Sequence, residues 1–260
     1  VVHMPKGSAQ SRFDNIAREG AQVTIETVNY DDCVRLAAAE AARTEHGVVI
    51  QDTAWEGYEK IPSWIMQGYG TMASEAAEQR PESGRPTHVC IQAGVGSLAG
   101  AVVGYFVNRF PDAPPKFVVL EARAADCLYQ GAVAGDGAPR TVGGDLKTIM
   151  AGLACGEPCT IAWDILRTHA SAFLSCPDWV SARGMRMLAA PLPGDPAVVS
   201  GESGAVGIGA LSVLREDPVY SELYKALELD ENSRVLLFST EGDTDPDQYR
   251  RIVWDGAYAE

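Results

Sequence analysis

Short β-branched segments alternate with helical segments at the start of the chain, and this alternation constrains the fold more than any other feature. Residues 1–51 follow the order strand, helix, strand, helix, strand, and the order strand, helix, strand returns over residues 87–120. Parallel strands need long crossover connections, which are usually helices. The pattern therefore predicts an α/β protein with parallel sheets.

The predicted elements follow one another along the whole chain without an internal repeat. The predicted strands are Val1–Met4, Gln22–Val28, Gly47–Gln51, Thr87–Gln92, Lys116–Leu120 and Arg234–Ser239. The predicted helices are Ser8–Glu19, Tyr30–Glu45, Ser63–Gln79, Ser97–Arg109, Val219–Leu227 and, after a glycine-rich start, Ser200–Leu214. Ala151–Ala190 is predicted to be largely helical, and Gly131–Gly144 to be a loop. Two prolines in Arg80–Pro86 favour a surface loop.

The acidic charge of the chain excludes two classes of partner. Aspartate and glutamate number 35 against 21 lysines and arginines, which gives a formal net charge of -14. Such a charge disfavours binding to nucleic-acid backbones and to anionic membranes. The longest strongly apolar stretch, Leu98–Val107, has half of the about 20 residues that cross a bilayer. We therefore expect a cytoplasmic protein with no nucleic-acid or membrane partner.

The cysteines and histidines do not form a recognisable metal or disulfide pattern. Six cysteines in 260 residues are too dilute for a disulfide scaffold, and no two have C-x-x-C spacing. The four histidines also lack the spacing of metal ligands. No metal site is expected, and whether Cys127 pairs with Cys155 stays open.

The clearest local motif is a glycine-containing turn between an apolar strand and an apolar helix, within Gln92–Gly100. Glycines allow a ligand to approach the backbone closely, and the N–H groups at a helix N-terminus attract phosphate. The residues predicted to bind the phosphate of a cofactor are Gly94, Val95, Gly96, Ser97 and Leu98. The spacing G-x-G-x-x-x-G is one residue longer than the dinucleotide fingerprint, although Glu121 occupies the position of a ribose-binding acid. A nicotinamide-dependent oxidoreductase and a turn that serves packing alone are the alternatives.

The same turn resembles the phosphate-binding glycine loop of pyridoxal-phosphate enzymes of fold type II, the group similar to the tryptophan synthase β chain. Three longer blocks resemble one family in this group, the diaminopropionate ammonia-lyases. The blocks are QDTAWEGYEKIPSWIMQGYGTM at 51–72, MAGLACGEPC at 150–159 and SGESGAVG at 200–207. The resemblance extends from Val1 to the end of the chain.

The resemblance implies both an architecture and an activity. It implies two parallel-sheet α/β domains with the cofactor cleft between them, residues 1–60 belonging to the smaller domain and residues 61–260 to the larger. It also implies a homodimeric enzyme that uses pyridoxal 5'-phosphate to convert 2,3-diaminopropionate to pyruvate and ammonia. The cofactor makes the substrate Cα proton acidic by delocalising the resulting negative charge. A noncatalytic ligand-binding remnant is the alternative from a different class.

Asp52 is the candidate catalytic base. It follows the predicted strand Gly47–Gln51 and matches the aspartate in the Asp-Thr-Ala-Trp block of the family. A carboxylate among aromatic side chains can have a raised pKa that suits proton abstraction. Trp55 and Tyr58 are accordingly predicted to contact the substrate. The competing interpretation is an aspartate that only caps the next turn.

Two hydroxyl residues are candidates for contacting the pyridine nitrogen of the cofactor. Ser239 and Thr240 follow the last predicted strand, in a segment that resembles the Ser-Gly-x-Gly-Asp block of fold type II enzymes. A neutral hydroxyl at this place would leave the ring nitrogen largely unprotonated. Ser239 is the preferred residue of the two. Helix capping is the alternative role for both.

The sequence departs from the family in one feature that affects catalysis. The Schiff-base lysine motif, which lies upstream in the family, does not occur in the 260 residues. The lysines present are Lys6, Lys60, Lys116, Lys147 and Lys225. We therefore expect that the chain corresponds to the C-terminal two thirds of such an enzyme and is inactive alone.

Overall fold

The strands form two parallel sheets in a computed structural model, which describes residues 1–79 and 84–259. The smaller sheet pairs β1 (Val2–Met4) with β2 (Val23–Ile25). The larger sheet contains, in spatial order, β5 (Ala172–Cys176), β4 (Lys116–Ala122), β3 (His88–Gln92) and β6 (Val235–Leu237). All of these pairings are parallel, so the predicted α/β class and parallel sheets are confirmed.

Helices connect and cover these strands. Their bounds are α1 Gln10–Arg18, α2 Tyr30–Arg43, α3 Lys60–Gln79, α4 Ser97–Arg109, α5 Cys127–Ala134, α6 Thr160–His169, α7 Asp178–Ala189, α8 Glu202–Glu216, α9 Ser221–Ala226 and α10 Pro246–Val253. No helix in the described ranges is long and apolar enough to cross a membrane. Residues 80–83 of the predicted loop Arg80–Pro86 lie outside the described residues.

The hydrophobic core lies on both faces of the larger sheet. Val89 and Ile91 in β3 pack with Phe106 of α4 and Leu166 of α6 on one face. Cys90, between them in sequence, points to the other face, into the cluster that contains residues of α7, α8 and α9. Successive side chains of a strand alternate between faces. Because helices cover both faces, all five residues of β3 are buried, and the three in its centre are apolar.

The predicted strand Gly47–Gln51 is wrong. This segment forms no strand, and its β-branched side chains Val48 and Ile50 are 64% and 75% exposed. The backbone of Gln51 instead donates a 3.0 Å hydrogen bond to the Tyr58 hydroxyl. β-Branched residues favour strands where neighbouring chains pack against them, and this segment lacks such neighbours among the described residues. Asp52 therefore does not follow a strand.

The prediction for Ala151–Ala190 is only partly correct, because β5 lies between α6 and α7 in this segment. The sequence of β5 contains alanine and leucine, which favour helices, and only its pairing with β4 defines it as a strand. The predicted loop Gly131–Gly144 is also wrong at its start, because α5 continues to Ala134. The sequence analysis further missed α10, although Asp245 caps it and Pro246 begins it.

All six cysteines are buried free thiols in this structure. The Cys127 thiol contacts the backbone carbonyl oxygen of Cys155 at 3.9 Å, rather than forming a disulfide with its sulfur. In this structure, Cys127 and Cys155 are therefore not paired in a disulfide.

Helices α7 and α8 pack closely against each other, and glycines permit the approach. A Cβ on Gly209 would lie 1.9 Å from the carbonyl oxygen of Val180, and a Cβ on Gly184 would lie 2.0 Å from that of Ala205. Real Cβ atoms do not approach backbone oxygens so closely. The two helices therefore depend on the absence of a side chain at both positions.

We predict that Gly209→Ala lowers the free energy of unfolding by about 2 kcal/mol or more, because the added methyl group forces the helices apart. Gly104→Ala in α4 is the matched control, since a Cβ there meets no atom within 4 Å. This control is expected to raise the free energy of unfolding by about 0.5–1 kcal/mol through helix propensity. Urea denaturation measures both effects. Equal stabilities of the two variants would contradict the packing argument.

Candidate functional site

The candidate site lies at the carboxyl end of β3 and β6, which are neighbouring strands. The glycine turn follows β3, and Ser239 and Thr240 follow β6. Gln92, only 4% exposed, joins the two ends: its side-chain amide donates to the Phe238 carbonyl oxygen at 2.9 Å and to Thr240 Oγ1 at 3.2 Å. The structure thus brings together two of the predicted cofactor-binding segments. Ligand sites in α/β sheets commonly occur at this edge.

The glycine turn has the geometry of an anion cradle at the start of α4. Gly96 has φ +97°, and a Cβ on Gly94 would lie 3.0 Å from both Cys155 Sγ and the Gly152 carbonyl oxygen. In the described part of the chain, the backbone N–H groups of residues 94–98 donate to no backbone carbonyl oxygen, and the Val95 N–H donates to the Cys155 sulfur. Free N–H groups at a helix N-terminus bind phosphate well. The predicted phosphate-binding residues therefore fit a cofactor phosphate.

Side-chain hydrogen bonds hold Asp52 beside this turn. Ser97 Oγ donates to the Asp52 carbonyl oxygen at 2.7 Å, while the Tyr69 hydroxyl donates to Asp52 Oδ2 at 3.1 Å. The Ser97 hydroxyl proton is therefore used in a hydrogen bond within the protein, and the backbone N–H of Ser97 is the donor that can bind a ligand. Tyr69 belongs to the family block at residues 51–72, but only the structure shows that it contacts the carboxylate.

The family block at residues 150–159 packs against the same turn. The Cys159 N–H donates to the Val95 carbonyl oxygen at 2.8 Å, and Cys159 Sγ accepts from the Ala54 N–H at 3.3 Å. The blocks that contain Asp52, the glycine turn and Cys159 thus meet in three dimensions, although about 100 residues of sequence separate the first from the last.

Burial raises the pKa of the Asp52 carboxyl group, and the hydrogen bond from Tyr69 opposes this shift. The same burial, together with the nearby Asp52 charge, raises the pKa of Tyr69 to about 12. Tyr69 is thus a neutral hydrogen-bond donor at neutral pH. A carboxylate that takes up a proton more readily than an exposed one suits the role of a general base.

Trp55 and Tyr58 form a stacked pair beside Asp52. Their ring centroids are 4.3 Å apart, with an interplanar angle of 25°. The Tyr58 hydroxyl lies 2.9 Å from the Val49 carbonyl oxygen and accepts the Gln51 N–H. Because this hydroxyl is already hydrogen-bonded to the backbone, Tyr58 can contact a ligand mainly through its ring.

Ser239 and Thr240 have different hydrogen-bonding environments. Ser239 Oγ donates to Ser200 Oγ at 2.8 Å, and Thr240 Oγ1 accepts from Gln92. Both residues are exposed in this structure. Each hydroxyl keeps capacity for one more hydrogen bond. The sequence analysis missed Gln92 as their anchor, although a polar residue at the end of an apolar buried strand was a usable signal.

Glu121 is not placed to bind a ribose. It is fully buried in β4, and its carboxylate accepts the N–H groups of Leu128 at 2.9 Å and Tyr129 at 2.6 Å. These groups belong to the first turn of α5, so Glu121 stabilises a helix N-terminus. The nicotinamide alternative thereby loses its proposed ribose-binding acid. Burial raises the pKa of Glu121 to about 8.

We predict that Glu121 makes stability fall with pH. The folded protein holds its proton more tightly than the unfolded chain, so this contribution is present below pH 4.5 and is lost as pH rises through about 8. One such proton changes the free energy of unfolding by about 1.4 kcal/mol per pH unit in this window. Glu121→Gln is expected to remove this dependence, as measured by urea denaturation at several pH values.

The control for this experiment is Glu45→Gln, because Glu45 is exposed and lies outside the buried sheet. Its pH dependence is expected to match that of the unmodified chain. At each pH, the free energy of unfolding of the unmodified chain is subtracted from that of the variant. This difference cancels the contributions of the other carboxyl groups. Parallel pH profiles for Glu121→Gln and the unmodified chain would show that Glu121 is charged throughout the range.

Comparison with known families identifies the class to which this fold and site belong. Residues 1–241 match the family described as pyridoxal-phosphate dependent enzyme. The parallel sheets and the glycine turn at a helix N-terminus agree with fold type II of these enzymes. The chain belongs to the pyridoxal-phosphate-dependent enzyme family.

Curated relatives carry a more particular name. The chain is 54% identical over 262 residues to the diaminopropionate ammonia-lyase of Salmonella typhimurium. It is 51% identical over 261 residues to that of Escherichia coli K12. These matches cover 100% of this chain and 65% of each relative, so the chain spans 65% of their length. The resemblance to this family found in the sequence is confirmed.

Solved structures give the same result. A structure of Escherichia coli diaminopropionate ammonia lyase with an aminoacrylate-PLP azomethine reaction intermediate has a TM-score of 0.91 and 50% identity, covering 100% of this chain and 66% of that one. A structure of the same enzyme with D-serine has a TM-score of 0.92 and 49% identity, covering 100% and 64%. Maize serine racemase, at 19% identity and a TM-score of 0.72, shares the fold.

Proposed function

We propose that this chain forms the greater part of a pyridoxal-phosphate-dependent lyase that converts 2,3-diaminopropionate to pyruvate and ammonia. The observation that carries the proposal is the hydrogen bond from Ser97 to Asp52, because it joins the phosphate cradle to the candidate base. The Salmonella typhimurium relative, 54% identical, supports the choice of reaction.

The residues of the cleft fit the parts of the cofactor. Backbone N–H groups of Gly94–Leu98 would hold the phosphate, and Ser239 or Thr240 would contact the pyridine nitrogen. When bound, pyridoxal phosphate supplies an electron sink for the negative charge that develops at the substrate Cα. A hydroxyl partner stabilises an uncharged ring nitrogen, since it carries no formal charge of its own.

Asp52 would remove the proton from the substrate Cα. Ser97 fixes its backbone next to the cradle, and Tyr69 orients its carboxylate through the hydrogen bond to Oδ2. The stacked rings of Trp55 and Tyr58 would cover the substrate and exclude water from this carboxylate. Partial exclusion of water favours the protonated product form of the base.

We infer that the lysine that holds the cofactor covalently comes from outside the 260 residues. Lys60 stacks on Trp64, Lys116 pairs with Glu228, and Lys225 pairs with Glu222. The other two lysines, Lys6 and Lys147, are exposed. None occurs in a motif similar to that of the family's lysine.

The remaining inferences rest on the resemblance alone. We propose that residues 1–60 belong to a smaller domain and residues 61–260 to a larger one, in agreement with two separate sheets. We also propose a homodimer with a cytoplasmic location. Two-domain architecture would place Asp52 close to the junction, where closure of the cleft would reach it.

We predict that the isolated chain forms no pyruvate from 2,3-diaminopropionate and no borohydride-trapped cofactor adduct at its five lysines. A chimera that adds the lysine-bearing part of the Salmonella typhimurium relative is expected to gain turnover and a visible absorbance band. The same chimera with that lysine replaced by alanine is the control. Turnover by the isolated chain would contradict the inference, and a chimera without any visible band would favour the noncatalytic alternative.

We predict that Asp52→Asn in this chimera lowers kcat/KM for one enantiomer of 2,3-diaminopropionate by about 10²- to 10⁴-fold, the usual contribution of a general base. The other enantiomer is expected to lose less, because its proton leaves from the opposite face toward a different acid. The cofactor absorbance should be retained.

The matched control is Asp112→Asn. Asp112 is exposed and precedes β4, so it lies at the amino end of the strands, opposite the candidate site. This variant is expected to leave the rates for both enantiomers unchanged. Steady-state pyruvate formation from each pure enantiomer measures the effect. Equal losses for the two enantiomers with Asp52→Asn would reduce Asp52 to a capping residue.

A further inference from the structure

Ser203 has a buried hydroxyl group that lacks a hydrogen-bond partner. The residue is 5% exposed, and its Oγ is the one buried side-chain nitrogen or oxygen atom without a partner in the part of the chain that the structure describes. Buried polar atoms in folded proteins nearly always have a partner, because losing water without replacement is costly. An isolated exception of this kind points to a ligand.

The hydroxyl lies in the first turn of a long helix. Ser203 is the second residue of α8, which has 15 residues, and its backbone N–H donates to Glu241 Oε1 at 3.0 Å. The preceding cap residue, Gly201, donates its N–H to the Glu241 carbonyl oxygen at 3.0 Å. The segment after β6 thus holds the start of α8 in place, while the Ser203 side chain stays unpaired.

The surroundings place this hydroxyl against the cofactor cleft. A Cβ on Gly152 would lie 3.0 Å from Ser203 Oγ, and a Cβ on Gly94 would lie 3.0 Å from the Gly152 carbonyl oxygen. On the other side, a Cβ on Gly204 would lie 3.2 Å from Ser239 Oγ. Ser203 therefore lies against Gly152, next to the phosphate cradle, and the residue that follows it, Gly204, packs against Ser239.

We propose that Ser203 is a binding residue whose hydroxyl donates a hydrogen bond to the ring end of the bound cofactor. This inference rests on the proposed function, because it requires the ligand to be pyridoxal phosphate. The phosphate already has the N–H groups of the glycine turn, and Ser203 is followed by Gly204, which packs against the residue proposed for the ring, Ser239. The partial positive charge of the α8 N-terminus strengthens the donor toward an electron-rich oxygen.

The experiment uses the chimera whose added lysine is replaced by alanine. Its ligand is 4'-deoxypyridoxine 5'-phosphate, which has the ring and the phosphate but no aldehyde, so its binding requires no lysine. Inorganic phosphate reports the phosphate cradle alone. Ser203→Ala is expected to weaken binding of the ring-bearing ligand by about threefold to tenfold. Binding of inorganic phosphate is expected to be unchanged. Ligand fluorescence and equilibrium dialysis measure the two dissociation constants.

A thermal unfolding measurement separates binding from a structural role. Ser203→Ala should leave the Tm of the ligand-free chain unchanged or raise it, because no protein hydrogen bond is lost. Ser212→Ala is the matched control on the same helix: its hydroxyl donates to the Gly209 carbonyl oxygen at 2.8 Å and accepts from Arg183 at 2.7 Å. This control should lower the Tm and leave ligand binding unchanged.

Three results would overturn the inference while the proposed function stands. These are unchanged affinity for the ring-bearing ligand, an equal loss of affinity for inorganic phosphate, and a Tm loss like that of Ser212→Ala. Failure of this chimera to bind 4'-deoxypyridoxine 5'-phosphate when Ser203 is intact is a different result. It would refute the cofactor cleft itself, and the inference about Ser203 with it.

Discussion

The parallel pairing of β3 with β6 is the constraint on which the rest of the structure depends. These strands are far apart in sequence, and their pairing places the glycine turn next to Ser239 and Thr240. The buried side-chain amide of Gln92, at the end of β3, donates hydrogen bonds to the segment that follows β6. Because the amide would be costly to bury unpaired, these two hydrogen bonds of one side chain stabilise the register of β3 against β6 and the arrangement of the candidate site.

Hydrogen bonds then connect the candidate site to the first part of the chain. Ser97 binds the Asp52 backbone, and Cys159 contacts both Val95 and Ala54. Farther out, the buried Asp31 accepts the Gly156 N–H at 3.0 Å, which ties the start of α2 to the block at residues 150–159. A displacement of the first part of the chain would stretch these hydrogen bonds, whose lengths vary little in proteins. It would therefore also displace the glycine turn.

Local pattern was sufficient where a segment depends on its own neighbours. The strand β3, the turn after it and α4 were predicted closely, because an apolar run, glycines and a helix follow one another directly over residues 88–109. Residues 47–51 and β5 were predicted wrongly for opposite reasons. Residues 47–51 have β-branched side chains but no partner strand among the described residues. β5 contains residues that favour helices, but it pairs with β4 and is therefore a strand.

By itself, the sequence determined the α/β class and the choice of the glycine turn, Asp52, Ser239 and Thr240 as candidate site residues, because glycine spacing, apolar periodicity and the family blocks are local. Only the tertiary structure decided which of these residues meet, that Tyr69 and Gln92 support them, that Glu121 caps a helix, and that Ser203 lacks a partner. Hydrogen-bond partners and burial depend on residues distant in sequence, and their positions follow from strand pairing and helix packing rather than from local preference.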